Sequence, residues 1–181
     1  MDAWDQTWRR LRAGDPSAYP FLLERLGPGV WGYLRRMTGR DDLADELFGR
    51  TWLRVVQSAG RIKSPRAIRQ YVLSIARRQW LDELDRRQRD VLAGAVDEAA
   101  DYPPEAETSA LEALACQEDT DRLRQAIDRL PEPLREVVAL RTYAGLTFSQ
   151  IAELLDLPLG TVLTRMRSAT QRLAERLKRD M

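Results

Sequence analysis

The chain has no histidine in its 181 residues and only one cysteine, Cys116. Without histidine there is no Ser-His-Asp triad, no base to activate Cys116 as a nucleophile, and no histidine to complete the common zinc sites. A single cysteine excludes an intrachain disulfide, as expected of a protein kept in a reducing compartment. No apolar run approaches the ~18 residues that a membrane-spanning helix needs. The opening MDAWDQTWRRLRAG lacks the apolar core of a secretory signal. These absences point to a cytoplasmic protein with no membrane insertion, no metal and no cofactor.

Charge is present in quantity but unevenly placed. The formal net charge is +1. Residues 1–90 carry 18 Lys/Arg against 12 Asp/Glu, a net of +6; residues 91–121 carry none against 9, a net of −9; residues 122–181 carry 11 against 7, a net of +4. Two basic blocks around an acidic one suggest two surfaces for polyanions, held apart by a segment that repels them.

Helical periodicity runs through both basic blocks, and no strand or repeat stands out. A first helix is expected from Asp2 to about Arg12, and a second after Gly14-Asp15-Pro16, ended by Gly27-Pro28-Gly29. A third should cover Val30 to Met37. Asp41 or Asp42 then caps a helix to about Gln57 whose buried stripe is Leu43, Leu47, Thr51 and Val55, with Phe48 and Trp52 beside it. The loop Ser58 to Pro65 opens a long basic helix to Asp90. Its two apolar stripes, Ile68/Val72/Ile75 and Leu73/Ala76/Trp80/Leu84, suit packing on two neighbours. Asp82–Arg86, Glu83–Arg87 and Asp85–Arg89 have the acid four residues before the base, so its far end is explained as well by its own ion pairs as by phosphate contact. Residues 91–121 are Ala-rich, acidic and interrupted by Pro103-Pro104, which reads as a linker with a hint of helix at Leu111 and Leu114. About 30 flexible residues give a root-mean-square span of ~30 Å, enough for two domains to reach separate elements of one DNA.

The C-terminal block begins with Leu123, Ile127 and Leu130 on one helical face. Pro131 and Pro133 delimit a further helix to about Ala144, and Gly145 closes it. Two helices and a tight turn follow over Leu146–Leu173, LTFSQIAELLDLPLGTVLTRMRSATQRL. Asp156 falls at the turn, where Asp tolerates the left-handed conformation, and Pro158 suits a helix start. Val162, Met166, Ala169 and Leu173 point inward; Thr161, Thr164, Arg165, Arg167, Ser168 and Arg172 point outward. That is the pattern of a DNA-binding helix-turn-helix, with a plain αα-hairpin as the alternative.

Residues Leu130 to Leu177 resemble region four of a bacterial sigma factor, and Tyr19 to Arg89 resemble region two. The layout, two regions with only a linker between, is similar to that of the extracytoplasmic-function group. The resemblance implies an all-α fold of two small helical domains, 1–90 and 122–181, joined by a flexible acidic linker, 91–121. It implies a non-enzymatic initiation subunit with core RNA polymerase and promoter DNA as partners, and an anti-sigma factor as a plausible third. By matching positions, Leu163, Thr164, Arg165, Arg167 and Ser168 would read the minus-35 element, with Thr161 near a phosphate. The family often carries basic residues at the positions of Leu163 and Ser168, so weaker or altered minus-35 preference is expected. The loop around Ser64 and the helix after it match the minus-10 region, with Arg61, Lys63, Arg66, Arg77 and Arg78 as the strand-binding surface. Arg78 stands where the family commonly has Asn. Trp80 and Tyr71 suit core better than base stacking. Asp45, Glu46, Phe48, Arg50 and Trp52 match the polymerase-binding segment, although Gly49 and Arg50 replace a usual Gln and Glu. A dimeric helix-turn-helix regulator is the competing reading. A carboxylate enzyme built on Asp41, Asp42, Asp45 and Glu46 is a third, weakened because acids at a helix start are favoured by the dipole alone.

Overall fold

The computed structural model describes residues 3–92 and 111–179, with side chains left aside at 91, 92 and 111–119. The described residues form eight α-helices: α1 Ala3–Arg12, α2 Ala18–Thr38, α3 Asp41–Ser58, α4 Ile68–Leu92, α5 Leu111–Asp128, α6 Glu132–Thr142, α7 Phe148–Leu155 and α8 Leu159–Arg179. Short 3₁₀ turns at Ala59–Arg61 and Pro65–Ala67 bridge α3 to α4. Most of the stretch read as a linker lies outside the described residues. Its last part, 111–121, belongs to α5.

The expected stop at Gly27-Pro28-Gly29 is not a stop. Helix α2 runs 21 residues straight through it, with Pro28 inside, and ends at Gly39 in the left-handed conformation at φ 71°. Local propensity against a helix is overridden by packing: Leu22, Leu26, Val30, Tyr33, Leu34 and Met37 put one long apolar face against α3, α4 and α6.

The stripes of α3 and α4 fall where their periodicity puts them. Leu43, Leu47, Thr51 and Val55 are buried, as are Ile68, Val72, Leu73, Ala76 and Trp80. In the C-terminal half, Ile127, Leu130, Val138 and Ala169 make a small core with Leu134, Met166 and Leu173 packed on it. The principal core does not stop at the boundary between halves. It continues from α2 and α4 into Val137, Leu140, Leu146, Ile151, Leu155 and Val162. The two helical units are therefore packed face to face, where two separated bodies on a tether are expected.

Candidate nucleic-acid and polymerase interfaces

The helix-turn-helix is built by local chemistry. Thr147 caps α7 by accepting from the Gln150 backbone N–H, while the Gln150 side chain accepts from the Thr147 N–H, a reciprocal capping box. Asp156 ends α7 with φ 53°, and its N–H bonds back to the carbonyls of Ala152 and Glu153. Pro158 supplies the carbonyl that accepts from the Thr161 N–H, so it sits just before α8, one place earlier than a first helical position. Arg141 donates to the Leu146 carbonyl at 2.9 Å and lies over the Phe148 ring, tying the approach to the motif.

On α8, Val162 and Ala169 are fully buried, which turns the opposite face outward. Leu163 is 43 % exposed, Thr164 and Arg167 are exposed, and Thr161, Arg165 and Ser168 are half-buried. All six expected minus-35 residues thus lie together on the first three turns of a helix whose N-terminal end is open. The Thr164 hydroxyl donates to the Gly160 carbonyl, so its methyl group is what it offers outward without rearrangement. Further along, Arg172, Arg176 and Arg179 with Arg129, in the turn after α5, line a groove of about 480 Å³. Only Arg172 was flagged by the sequence pattern; Arg129 joins it through the fold.

The expected minus-10 residues are divided. Arg61, Lys63 and Arg66 are exposed and Ser64 half-buried, all on the connection between α3 and α4. That connection is held from beneath by the buried Ile62, whose carbonyl accepts from the Trp8 indole at 3.1 Å. The bracing role of α1 has no sequence signal beyond the amphipathic placing of Trp8 and Leu11. Arg78 is exposed, but Arg77 is half-buried and its Nε donates to Glu136 of α6 at 2.9 Å. Trp80 is in the core at 5 % exposure, and Tyr71 donates its hydroxyl to the Ser58 carbonyl.

The end of α4 is a structural ion-pair cluster in which Glu83–Arg87 forms as expected and the other two expected pairs do not. Glu83, buried beneath its neighbours, accepts from Arg86 and Arg87. Arg86 also reaches Asp90, so the Asp82–Arg86 pairing is replaced. Arg89 bonds the Asp85 carbonyl, not its carboxylate. The Arg86 hydrogen bonds hold the Glu83 carboxyl below its ordinary range, against the opposing pull of burial.

The polymerase-segment residues divide between two sides of α3, with Asp45, Phe48 and Trp52 toward α2 and Glu46 and Arg50 toward α4. Asp45, Glu46 and Arg50 are exposed, with Phe48 and Trp52 half-buried and their rings edge-to-face at 6.0 Å. Arg50 pairs with Glu46 at 2.6 Å and reaches toward Glu83 at 3.9 Å. Helix α2 extends the first of these sides with Leu23 and Trp31, exposed at 46 % and 37 %. The Trp31 indole donates to Asp45 at 2.7 Å. Leu23 and Trp31 went unnoticed in the sequence because the expected helix break at Gly27, absent from the structure, separated them. Asp41 and Asp42 are engaged by Arg35 and Arg40, as helix-start ion pairs.

The comparisons agree with this architecture. Residues 22–90 match sigma-70 region 2 and residues 120–173 match sigma-70, region 4. The chain is 31 % identical to the RNA polymerase sigma factor CarQ of Myxococcus xanthus, over 93 % of this chain and 94 % of CarQ. It is 29 % identical to the ECF RNA polymerase sigma factor RpoE of Cereibacter sphaeroides, over 96 % of this chain and 94 % of the relative. The fold is shared with the sigma factor RpoE of Bartonella quintana, solved in complex with the anti-sigma factor NepR. That match has a TM-score of 0.74 at 20 % identity, covering 90 % of this chain and 98 % of the other. It is shared also with CnrH, solved with the cytosolic domain of CnrY, at TM-score 0.71 and 18 % identity, covering 99 % of this chain and all of the other.

The chain belongs to the sigma-70 family of RNA polymerase sigma factors, within the extracytoplasmic-function group. It partners core RNA polymerase and promoter DNA and directs transcription initiation. The reading as a dimeric regulator without a sigma role falls away with that. Sigma factors are regulatory proteins, not catalysts. Among the described residues, no helix is long and apolar enough to cross a membrane.

Proposed function

We propose the following division of labour between the surfaces. The unit within 122–181 reads the upstream promoter element as duplex through Thr161, Leu163, Thr164, Arg165, Arg167 and Ser168 on α8. The unit within 1–90 takes the downstream element as separated strand through Arg61, Lys63, Ser64, Arg66, Arg77 and Arg78. Core polymerase docks on Asp45, Glu46, Phe48, Arg50 and Trp52, with Leu23 and Trp31 widening the apolar part of that surface. The chain works in the cytoplasm, where its DNA and polymerase are. An anti-sigma factor is a plausible further partner, since one structural relative was solved bound to one.

The observation that supports this best is the exposed, open-ended face of α8, where short polar side chains and arginines surround Leu163. Recognition helices enter the major groove N-terminus first, and Arg gives bidentate contacts to guanine. Opening duplex costs a few kcal/mol per step, which a basic strand-binding surface offsets. With Leu163 and Ser168 at positions that are often basic, fewer charge-assisted contacts are available upstream. The test is run-off transcription by core polymerase reconstituted with wild-type and Arg165→Ala protein on a selected promoter. Arg165→Ala should lower initiation by roughly 5- to 160-fold, the ~1–3 kcal/mol of one base-reading arginine. Unchanged initiation would remove Arg165 from the reading set.

A further inference from the structure

The connection between α3 and α4 carries four of the residues assigned to the separated strand, yet it has little regular structure of its own. Two 3₁₀ turns, Ala59–Arg61 and Pro65–Ala67, shape its ends, and the residues 62–64 between them belong to no element. Inside it, the Ile62 N–H bonds the Ala59 carbonyl and the Ala67 N–H bonds the Ser64 carbonyl. A segment so sparsely bonded to itself keeps one shape only when its surroundings hold it. Three aromatic side chains do so, each from a different helix and each by donating to a main-chain carbonyl. Trp8 of α1 donates its indole N–H to Ile62 at 3.1 Å, Tyr71 of α4 its hydroxyl to Ser58 at 3.0 Å, and Tyr19 of α2 its hydroxyl to Val56 at 3.3 Å. Val56 and Ser58 stand in the last turn of α3, where carbonyls run short of partners within the helix. Ile62 is near the middle of the connection. The Trp8 bond therefore fixes the loop itself, and the two tyrosines fix its root.

Helix α1 has the face that this requires. Trp4, Thr7, Trp8 and Leu11 recur at helical spacing. Thr7 and Leu11 are buried, Trp4 meets the Phe21 ring edge-on at 5.3 Å, and Arg12 lies over the Trp8 ring at 5.2 Å. The helix packs on α2 and on both 3₁₀ turns. The match to region 2 begins at residue 22, so Trp8 and Tyr19 both lie ahead of it. Along the connection Ala59 and Ile62 are buried, while Arg61, Lys63 and Arg66 are exposed.

We propose that these three aromatic donors, Trp8 foremost, are positioning residues for minus-10 recognition: they hold the loop in its strand-binding shape before DNA arrives, and so set base selectivity without touching a base. The proposal rests on the reading of this loop as a strand-binding surface. Its physical ground is a difference between two kinds of contact. Phosphate attraction to Arg61, Lys63 and Arg66 is independent of sequence and survives in any shape of the loop. Recognition of one extruded base needs hydrogen-bonding groups at fixed places, which only one loop shape supplies. A loop that must be ordered during binding gives up part of the free energy of that contact, and a loop ordered beforehand keeps it. Loss of a donor therefore weakens base-specific binding and spares the phosphate contribution.

The test uses holoenzyme reconstituted from core polymerase and the full chain. Its probes are two fluorescent single-stranded oligonucleotides of equal length. One is the non-template minus-10 strand of a promoter that the holoenzyme transcribes, and the other has the same bases scrambled. Trp8→Phe keeps an aromatic ring against the loop and removes the N–H. It should lower affinity for the matched strand about fivefold, the effect of one neutral hydrogen bond, and leave the scrambled strand within about twofold. Tyr71→Phe, which removes a hydroxyl and leaves the ring in place, should narrow the matched-to-scrambled ratio in the same direction by a smaller factor. If Trp8→Phe fails to fold, Tyr71→Phe decides by the same ratio. A ratio equal to that of wild type, whether both affinities fall together or neither moves, would overturn the proposal. Lys63→Ala/Arg66→Ala separates the two claims. If it leaves both strand affinities unchanged, the loop is not the strand-binding surface and the proposal falls with that reading. If it weakens strand binding while the aromatic variants keep the wild-type ratio, the surface stands and only the positioning role is lost.

Discussion

The proposed duplex-reading and strand-binding surfaces of this chain meet solvent in opposite ways. On α8, Leu163, Thr164 and Arg167 stand outward, and the helix beneath is held by Val162 and Ala169. On α4, Arg78 is open, while Arg77, Arg69 and Gln70 are engaged by the other half of the molecule. The difference shows what a small two-unit protein can do with charge. Cations on an outward helix face remain available to phosphate at once, whereas a cation held by a buried carboxylate must first be released. Breaking such a pair leaves an uncompensated buried charge, so release happens through movement of a whole unit more readily than through a local slip.

Removing the carboxylate attacks that contrast most strongly. Glu136→Ala strands the Tyr33 hydroxyl and Arg77, which both donate to it, in the closed contact, a loss of about 2–3 kcal/mol. That is below the ~3–5 of a fully enclosed pair because the Arg77 side chain is 26 % exposed. The chain escapes this cost by opening, so urea unfolding should split into two transitions in place of one. A single, merely earlier transition would mean that the halves unfold as one unit and do not separate. The opposite surface can be sharpened by adding charge. Leu163→Lys should tighten minus-35 duplex binding and steepen the slope of log K against log salt by about one. An unchanged slope would place residue 163 away from the phosphates. The smallest effect is expected at a glycine. Gly49→Ala should raise the thermal stability of the N-terminal unit by up to ~1 kcal/mol, because its Cβ meets nothing. A loss of stability there would mean that α3 makes a contact at Gly49 that the structure lacks.

Much of the helix-turn-helix fold was readable from residues alone. The left-handed Asp156 and the inward Val162 and Ala169 follow from local rules, because a helix-turn-helix is assembled within about 25 residues, whereas the Thr147–Gln150 capping box went unread. The stripes of α3 and α4 were readable for the same reason. The joining of the halves was not. Gly27-Pro28-Gly29 looks like punctuation, and only the long-range presence of Tyr143 reveals that Gly29 makes room for its backbone carbonyl and Gly32 for its ring. Glu136 and Arg77 lie 59 residues apart and carry no motif linking them. The hidden face of Leu23 and Trp31 was lost to the same misplaced break. Arg86 pairs with Glu83 at i,i+3, where the i,i+4 rule pointed to Asp82, and Glu83 is buried facing Arg50 of α3.

Small-angle scattering of the free full-length chain tests the packing of the two units most directly. Two units packed through a common core predict a radius of gyration close to the ~16 Å of a compact body of this length, raised by a few ångströms for residues outside the packed units. The Gly29→Ala/Gly32→Ala chain, whose new Cβ atoms would meet Tyr143, should be distinctly larger. A wild-type radius equal to that of the variant would show that the halves already move independently, and would contradict the shared core.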